Sequence, residues 1–245
     1  MRTTQFQRVD ENSLVVQDGD AAMSERMYST EFLRYSDAPV DSWRYRYVKR
    51  AIDLTCSLIL IVAFSIPGFL IAAAILLTSK GPVFYREQRI GRNGHLFRIW
   101  KFRSMHRNAA QRARIADAQM GVKVLEWRMH KHLRDPRITT VGGFLRRWSL
   151  DELPQLFNVL LGDMSLIGPR PIVQAETALY GKLISYYLTA IPGLSGLWQV
   201  SGRSHVNYEK RARLEAEYVQ GWSLRGDLVI LLRTVPAVLG RIGAH

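Results

Sequence analysis

Twenty-six consecutive residues, Leu54 to Ser79, carry no charge, and Leu58–Leu77 is almost entirely apolar. About 20 such residues span the hydrocarbon core of a bilayer. A stretch this long is a poor fit to a buried core helix in a chain of 245 residues, so the segment is expected to meet lipid. Pro67-Gly68 falls near its middle, where proline removes a backbone donor and forces a kink. Within 20 residues upstream lie Arg34, Arg44, Arg46, Lys49 and Arg50; within 20 downstream lie Lys80, Arg86, Arg89, Arg92 and Arg98. Equal flanks give the positive-inside rule nothing to choose between. They favour a reentrant helix–break–helix broken at Pro67, with both ends on one face. A kinked spanning helix is the alternative.

Charge narrows the partners. The chain holds 34 Lys+Arg against 21 Asp+Glu, a net +13. Residues 1–41 contain 4 of those basic and 8 of those acidic side chains, which leaves 30 and 13, or +17, for residues 42–245. The first 41 residues are polar and weakly periodic and read as a disordered acidic tail. Residues 1–30 have no apolar core of a secretory signal. Residues 42–80 are expected to form the membrane hairpin and 81–245 one cytoplasmic domain. A strongly basic body implies anionic partners. Nucleic acid is not among them, because no helix-turn-helix, zinc-finger or RNA-binding motif appears. The single Cys56 excludes an intrachain disulfide framework and a Cys-rich zinc module.

After the apolar run, Pro82–Ile90 and His95–Met105 read as two strands around Asn93-Gly94, a strong hairpin signal. Strand alternation puts Lys101 and Arg103 on one face and Trp100 and Phe102 on the other. A solvated edge strand would carry the same pattern. Residues 107–134 look like an exposed amphipathic helix, with His130 and His132 at its surface. The chain is therefore expected to be mainly α with a small β-hairpin: a monotopic membrane protein with cytoplasmic amphipathic helices.

The most informative stretch runs from Arg146 to Gln155. Ser149-x-x-Glu152 fits a capping box, so Ser149 could start a helix running to about Leu160, with Asp151 merely favouring its dipole. The surroundings suggest more. Asp151 and Glu152 stand among Arg146, Arg147 and the basic hairpin, beside a membrane. Mg²⁺ takes one or two carboxylates together with substrate phosphate oxygens, and arginine forks neutralise the remaining charge. In Gly168-Pro169-Arg170-Pro171, prolines on both sides restrict Arg170 and pre-set its direction for a phosphate. Pro192–Gly196 and Ser201–Ser204 are further Gly/Ser loops suited to phosphate or sugar.

These blocks together resemble the bacterial sugar transferases, the polyprenyl-phosphate hexose-1-phosphate transferases or monotopic phosphoglycosyl transferases. The resemblance covers about Arg46 to Leu239. It rests on Lys49-Arg50-x-x-Asp53, Gly81-Pro82-Val83-Phe84, Arg89-Ile90-Gly91, Lys101–Met105, Asp135–Thr139, Ser149–Gln155, Gly162-Asp163-Met164-Ser165, Gly168–Pro171 and Pro192–Gly196. It implies that Asp151 is the nucleophile and Mg²⁺ ligand, with Glu152 supporting it or handling a proton. Asp151 would attack the β-phosphate of a UDP-sugar, galactose or glucose, and release UMP. Undecaprenyl phosphate would then take the sugar phosphate from the covalent intermediate. Lys101, Arg103, Arg146 and Arg170 would hold phosphates, Arg170 also touching the nucleotide. The place would be the bacterial inner membrane, with the catalytic face in the cytoplasm and downstream glycosyltransferases consuming the product for exopolysaccharide or O-antigen. A homodimer is one assembly this leaves open; a non-catalytic scaffold for polysaccharide assembly is the rival reading. The chain resembles a short form, with only 41 polar residues ahead of the common core. It departs from the family at Glu215, where many members carry Asp, while Asp227 fits. Leu228–Leu239, cut by Arg233 and Pro236, reads as an interfacial segment.

Overall fold

A computed structural model describes residues 39–120, 135–202 and 207–240. Most of the expected acidic tail, the C-terminal half of the 107–134 helix with His130 and His132, and Arg203-Ser204 lie outside the described residues.

A π-helical turn, Arg44–Lys49, leads into α1 (Arg50–Ala63), and α2 (Ser65–Thr78) follows after Phe64 alone. The pair is bent by 59°. The break falls ahead of Pro67 rather than at Pro67-Gly68, and the proline explains why. Its ring collides with the carbonyl four residues back, that of Ala63, and offers it no N–H. The first helix must therefore stop at Ala63, leaving Pro67 in the first turn of α2, where a missing donor costs little. Among the described residues no single helix is long and apolar enough to cross a membrane; the bent pair together matches a span in length and composition alone. Its outer face is apolar and exposed, including Ile59, Val62, Ile66, Phe69 and Leu77.

The polar residues that open this segment are tied into the protein. Lys49 Nζ donates to Asp227 Oδ2 (2.6 Å) and Arg50 to the carbonyls of Val159 and Leu160 (2.5 and 2.9 Å). Asp53 accepts the Leu166 N–H at 3.1 Å. Asp227, in the last helix, also accepts from Tyr218 and Trp222.

Strands β1 (Phe84–Ile90) and β2 (Leu96–Phe102) pair antiparallel around a turn in which Asn93 and Gly94 both have positive φ, as Asn-Gly predicts. Phe84 stacks on Phe102, and the Arg86 guanidinium sits 3.6 Å from the centre of the Trp100 ring. On the other face Phe97 and Ile99 are buried, and Lys101 continues that row. The lysine row therefore faces inward, and the bare edge-strand reading does not describe it.

Helix α3 (Ala109–Met120) follows, and α4 (Thr140–Arg147) begins at Thr139, whose hydroxyl oxygen accepts the Gly142 N–H. Next comes a short 3₁₀ turn, Leu150–Glu152, and then α5 (Gln155–Leu161). The capping box does not form. Ser149 is left-handed (φ 56°), and its carbonyl rather than its hydroxyl takes the Glu152 N–H. A side-chain cap needs an extended backbone at that position. The α-helix starts only after Pro154, which cannot donate.

A second sheet, not foreseen from sequence, pairs β3 (Ser165–Ile167) in parallel with β4 (Gly193–Ser195). Between them lie a 3₁₀ segment, Gln174–Leu183, and α6 (Ile184–Thr189); beyond come α7 (Leu197–Val200), α8 (Tyr208–Gln220) and α9 (Leu224–Leu239). The main core joins Tyr45, Phe97, Ile99, Leu156, Val159, Met164, Val219 and Trp222. The apolar C-terminal segment is a longer helix than Leu228–Leu239, because Ser223 caps it through the Gly226 N–H; Leu228, Leu232 and Val235 point outward.

Candidate active site

The 3₁₀ turn after α4 presents Asp151 and Glu152 beside the end of β2. Lys101 Nζ lies 2.8 Å from Glu152 Oε1. Arg146, in the last turn of α4, is held by Ser104, its Nε donating to Oγ at 2.9 Å. Ser104 in turn fixes α4 against β2: its carbonyl accepts the Thr139 N–H, and a Cβ on Gly142 would overlap that carbonyl. Lys101 and Arg146 thus both act electrostatically on Asp151.

Asp151 is 8% exposed and forms no ion pair among the described residues. Burial, and after it the neighbouring Glu152 carboxylate, raise its carboxyl above the usual carboxylate range, against the pull of Lys101 and Arg146. Two carboxylates are held together with incomplete compensation. That arrangement fits a cation brought in from solution. Among the described residues no three His, Cys, Asp or Glu side chains converge as a metal cage. The donor set is two carboxylates at most, which suits Mg²⁺ completing its shell with phosphate oxygens and water, not zinc.

A cleft opens beside the pair, lined by Arg89, Lys101, Glu152, Gln155, Arg170 and Gln199 among others. Arg170 reaches it from the loop after β3. Its backbone N–H donates to Glu215 Oε1 (3.2 Å), and its guanidinium stacks 5.5 Å from the Trp198 ring centre. Glu215 is 2% exposed; it also accepts from Arg211 Nε (3.1 Å) and Tyr180 OH (2.7 Å). Glu215 therefore anchors the Arg170 loop from below. Prolines restrict Arg170 on either side, and Pro169 is fully buried.

Of the expected site residues, the fold brings together Asp151, Glu152, Lys101, Arg146 and, across the cleft, Arg170. Arg103 goes elsewhere: its guanidinium is buried against the carbonyls of Ile75 and Ser79 at the end of α2. Pro67 serves the helix break at a distance from the cleft. In the Pro192–Gly196 loop a Cβ on Gly193 would overlap the Gly168 amide nitrogen, and Gly193 and Leu194 also line the cleft. Arg89 and Gln155 lie in blocks legible in the sequence but without an assigned role, and Gln199 and the pairing of Glu215 with Arg211 emerge only from the fold. That pairing nonetheless had a readable signal: charges four apart on the helix face that also carries Ala212, Ala216 and Val219 must be buried together.

Comparison with known proteins bears on this geometry. The family model "Bacterial sugar transferase" matches residues 44–241. The chain is 46% identical over 201 residues to the undecaprenyl-phosphate galactose phosphotransferase of Salmonella typhimurium, covering 82% of this chain and 42% of that one. It is 42% identical over 198 residues to the exopolysaccharide production protein ExoY of Sinorhizobium fredii, covering 80% and 88%. A UDP-glucose:undecaprenyl-phosphate glucose-1-phosphate transferase of Caulobacter vibrioides is 41% identical over 205 residues, covering 80% and 72%. The chain thus spans less than half of the Salmonella relative and most of the ExoY protein.

Proposed function

The chain belongs to the bacterial sugar transferase family, and from that premise we propose that it moves a hexose-1-phosphate, galactose or glucose, from a UDP-sugar to undecaprenyl phosphate. The observation that carries this reading is a buried carboxylate, Asp151, without an ion-pair partner among the described residues, set next to Glu152, which lines a cleft together with Lys101 and Arg170.

Asp151 Oδ attacks the β-phosphorus of the donor; the bond to the bridging oxygen breaks and UMP leaves with that electron pair. The sugar phosphate stays on the protein as an acyl phosphate, a mixed anhydride with the Asp151 carboxyl. A phosphate oxygen of undecaprenyl phosphate then attacks the same phosphorus, the bond to Asp151 breaks, and the diphosphate-linked sugar forms. A carboxylate nucleophile divides one displacement into two. Lys101 pairs with Glu152 beside the site, and Arg146 and Arg170 hold phosphate charge as it moves. Asp151, assisted by Glu152, would hold Mg²⁺, which neutralises charge on the transferred phosphoryl group. One phosphoanhydride is lost and another made, so the equilibrium lies near unity, and downstream glycosyltransferases pull it forward.

The bent helix pair is reentrant in this reading, entering and leaving on the cytoplasmic face of the inner membrane, with α9 at the interface. The test is UMP release by the full chain in nanodiscs with undecaprenyl phosphate, Mg²⁺ and a panel of UDP-sugars. Release with one sugar, abolished by EDTA and by Asp151→Ala, is expected. Silence with every donor would favour a scaffold.

A further inference from the structure

Arg103 stands two residues beyond Lys101, where β2 ends, and its N–H still donates to Val83 O at 2.8 Å. Its side chain crosses to the membrane segment. Nη2 donates to the carbonyls of Ile75 (3.3 Å) and Ser79 (2.7 Å) and lies 2.9 Å from Ser79 Oγ. These are acceptors at the C-terminal end of α2, where partial negative charge collects; the Ile75 carbonyl also takes the Ser79 N–H and hydroxyl, both at 3.1 Å. Arg103 is 6% exposed. Gly81 makes the room for it, since a Cβ there would overlap Nη1. Beside it Phe102 packs with Ile75 and Leu145, and Leu150 and Leu153, which bracket the carboxylate pair, close the same cluster. The end of the membrane segment, the Lys101 strand and the Asp151–Glu152 turn are thereby one packed unit.

We propose that Arg103 is a positioning residue that fixes the height of Lys101 and the carboxylate pair over the membrane, and so governs the lipid-acceptor half of the reaction rather than the donor half. The inference rests on the transferase reading. The two substrates differ in freedom. A nucleotide sugar diffuses to the cleft at whatever height it stands, whereas the phosphate of a polyprenyl lipid is confined to the headgroup layer. A misplacement on the order of 1 Å can cost about 100-fold in rate, and only the tethered substrate cannot follow the site.

The experiment uses the full chain in nanodiscs, as wild type, as Arg103→Gln, and as the milder Ser79→Ala, which removes one of the three contacts. Single-turnover UMP release without acceptor reads the donor half; turnover with undecaprenyl phosphate reads the acceptor half. A spin label at Tyr85→Cys in a Cys56→Ser background reads depth through oxygen and nickel-chelate accessibility. Residue 85 is exposed and pairs directly with Lys101. In Arg103→Gln the UMP burst should persist, acceptor turnover should fall by about 100-fold, and the label should change depth. Ser79→Ala should move both in the same direction by less. Equal loss in both halves, as a phosphate ligand would give, overturns the proposal, and so does an unchanged label depth. If the wild type releases no UMP from any donor, the transferase reading fails on its own, and the depth measurement still decides whether Arg103 sets the height.

Discussion

Lys101 Nζ donates to Glu152 Oε1 at 2.8 Å, so the cation of β2 is bonded to the second carboxylate of the pair and not to the first. The two acids therefore have separable roles. Asp151→Asn should abolish transfer, by at least about 10³-fold in kcat, the scale seen when a nucleophile is removed. The same change relieves a buried charge, so the melting temperature should rise. Glu152→Gln keeps the nucleophile and should cost less, about 10–100-fold. Equal losses in the two variants would contradict the assignment.

The pH dependence follows from the same site. Burial, then Glu152, hold the Asp151 carboxyl above its unfolded value of about 3.9. The native state thus binds this proton more tightly than the unfolded chain. Stability should fall as pH rises from about 4 through the raised native value, and Asp151→Asn should flatten that slope. Activity needs the ionised form, so the acid limb of the rate profile should lie above the ordinary carboxylate range. It should move to lower pH as Mg²⁺ is increased. An acid limb indifferent to Mg²⁺ would count against an ion on this carboxylate.

Glu215 has a structural duty with a functional readout. Its carboxylate joins Arg170 N–H, Arg211 Nε and Tyr180 OH in the interior. Glu215→Gln leaves the buried Arg211 charge only its longer 3.9 Å pair with Glu176, so the loss should approach, without exceeding, the about 3–5 kcal/mol of a broken buried pair. Glu215→Asp keeps the charge but shortens the reach, so it should retain most stability. It should still raise the KM for the donor by about 10-fold, through a displaced Arg170. An unchanged KM would show that the Arg170 loop does not need this anchor.

What could be read in the chain divides along one physical line. Local signals were legible: the apolar run, the proline that breaks it, Asn93-Gly94, and two adjacent acids among basic blocks. Alternation placed Lys101 and Arg103 apart from Trp100 and Phe102, but alternation reports a face, not a partner. Arg103 travels to residues 24 and 28 positions away in sequence, and no period encodes that. Ser149 misled because a capping box and a left-handed turn use the same residues; the proline two places after Glu152 was the deciding signal. The parallel pair β3 and β4 escaped notice because each strand is only three residues long.

Pro67 predicts a topological outcome. Pro67→Ala restores the donor to the Ala63 carbonyl and removes the ring clash, which favours one continuous helix from Arg50 to Thr78. Such a helix is long enough to cross. A cysteine introduced at Lys80, in the Cys56→Ser background, should react with an impermeant thiol reagent from the cytoplasmic side in the parent and shift in part to the periplasmic side in the variant. Transfer should fall in the same proportion. Unaltered labelling would mean that the bend is imposed by the packing of α2 on Phe102 and Leu145, not by the proline.

The glycines of the β3–β4 pair give the last test. A Cβ at Gly193 would overlap the amide nitrogen of Gly168, and one at Gly196 would overlap its carbonyl oxygen. Backbone cannot step aside as a side chain can, so Gly193→Ala should cost about 3 kcal/mol or more. At 2–4 °C per kcal/mol, that is a fall of about 6–12 °C in melting temperature. Gly143 offers the contrast: it lies inside α4 with only Ile138 Cγ2 near, at 3.9 Å. Gly143→Ala should stabilise by about 0.5–1 kcal/mol, since alanine is the better helix former. If Gly193 were there to admit a phosphate, its alanine variant would melt normally and lose donor affinity alone. Close backbone approach predicts the reverse, with affinity lost only as the loop carrying Arg170 is pushed away from the cleft.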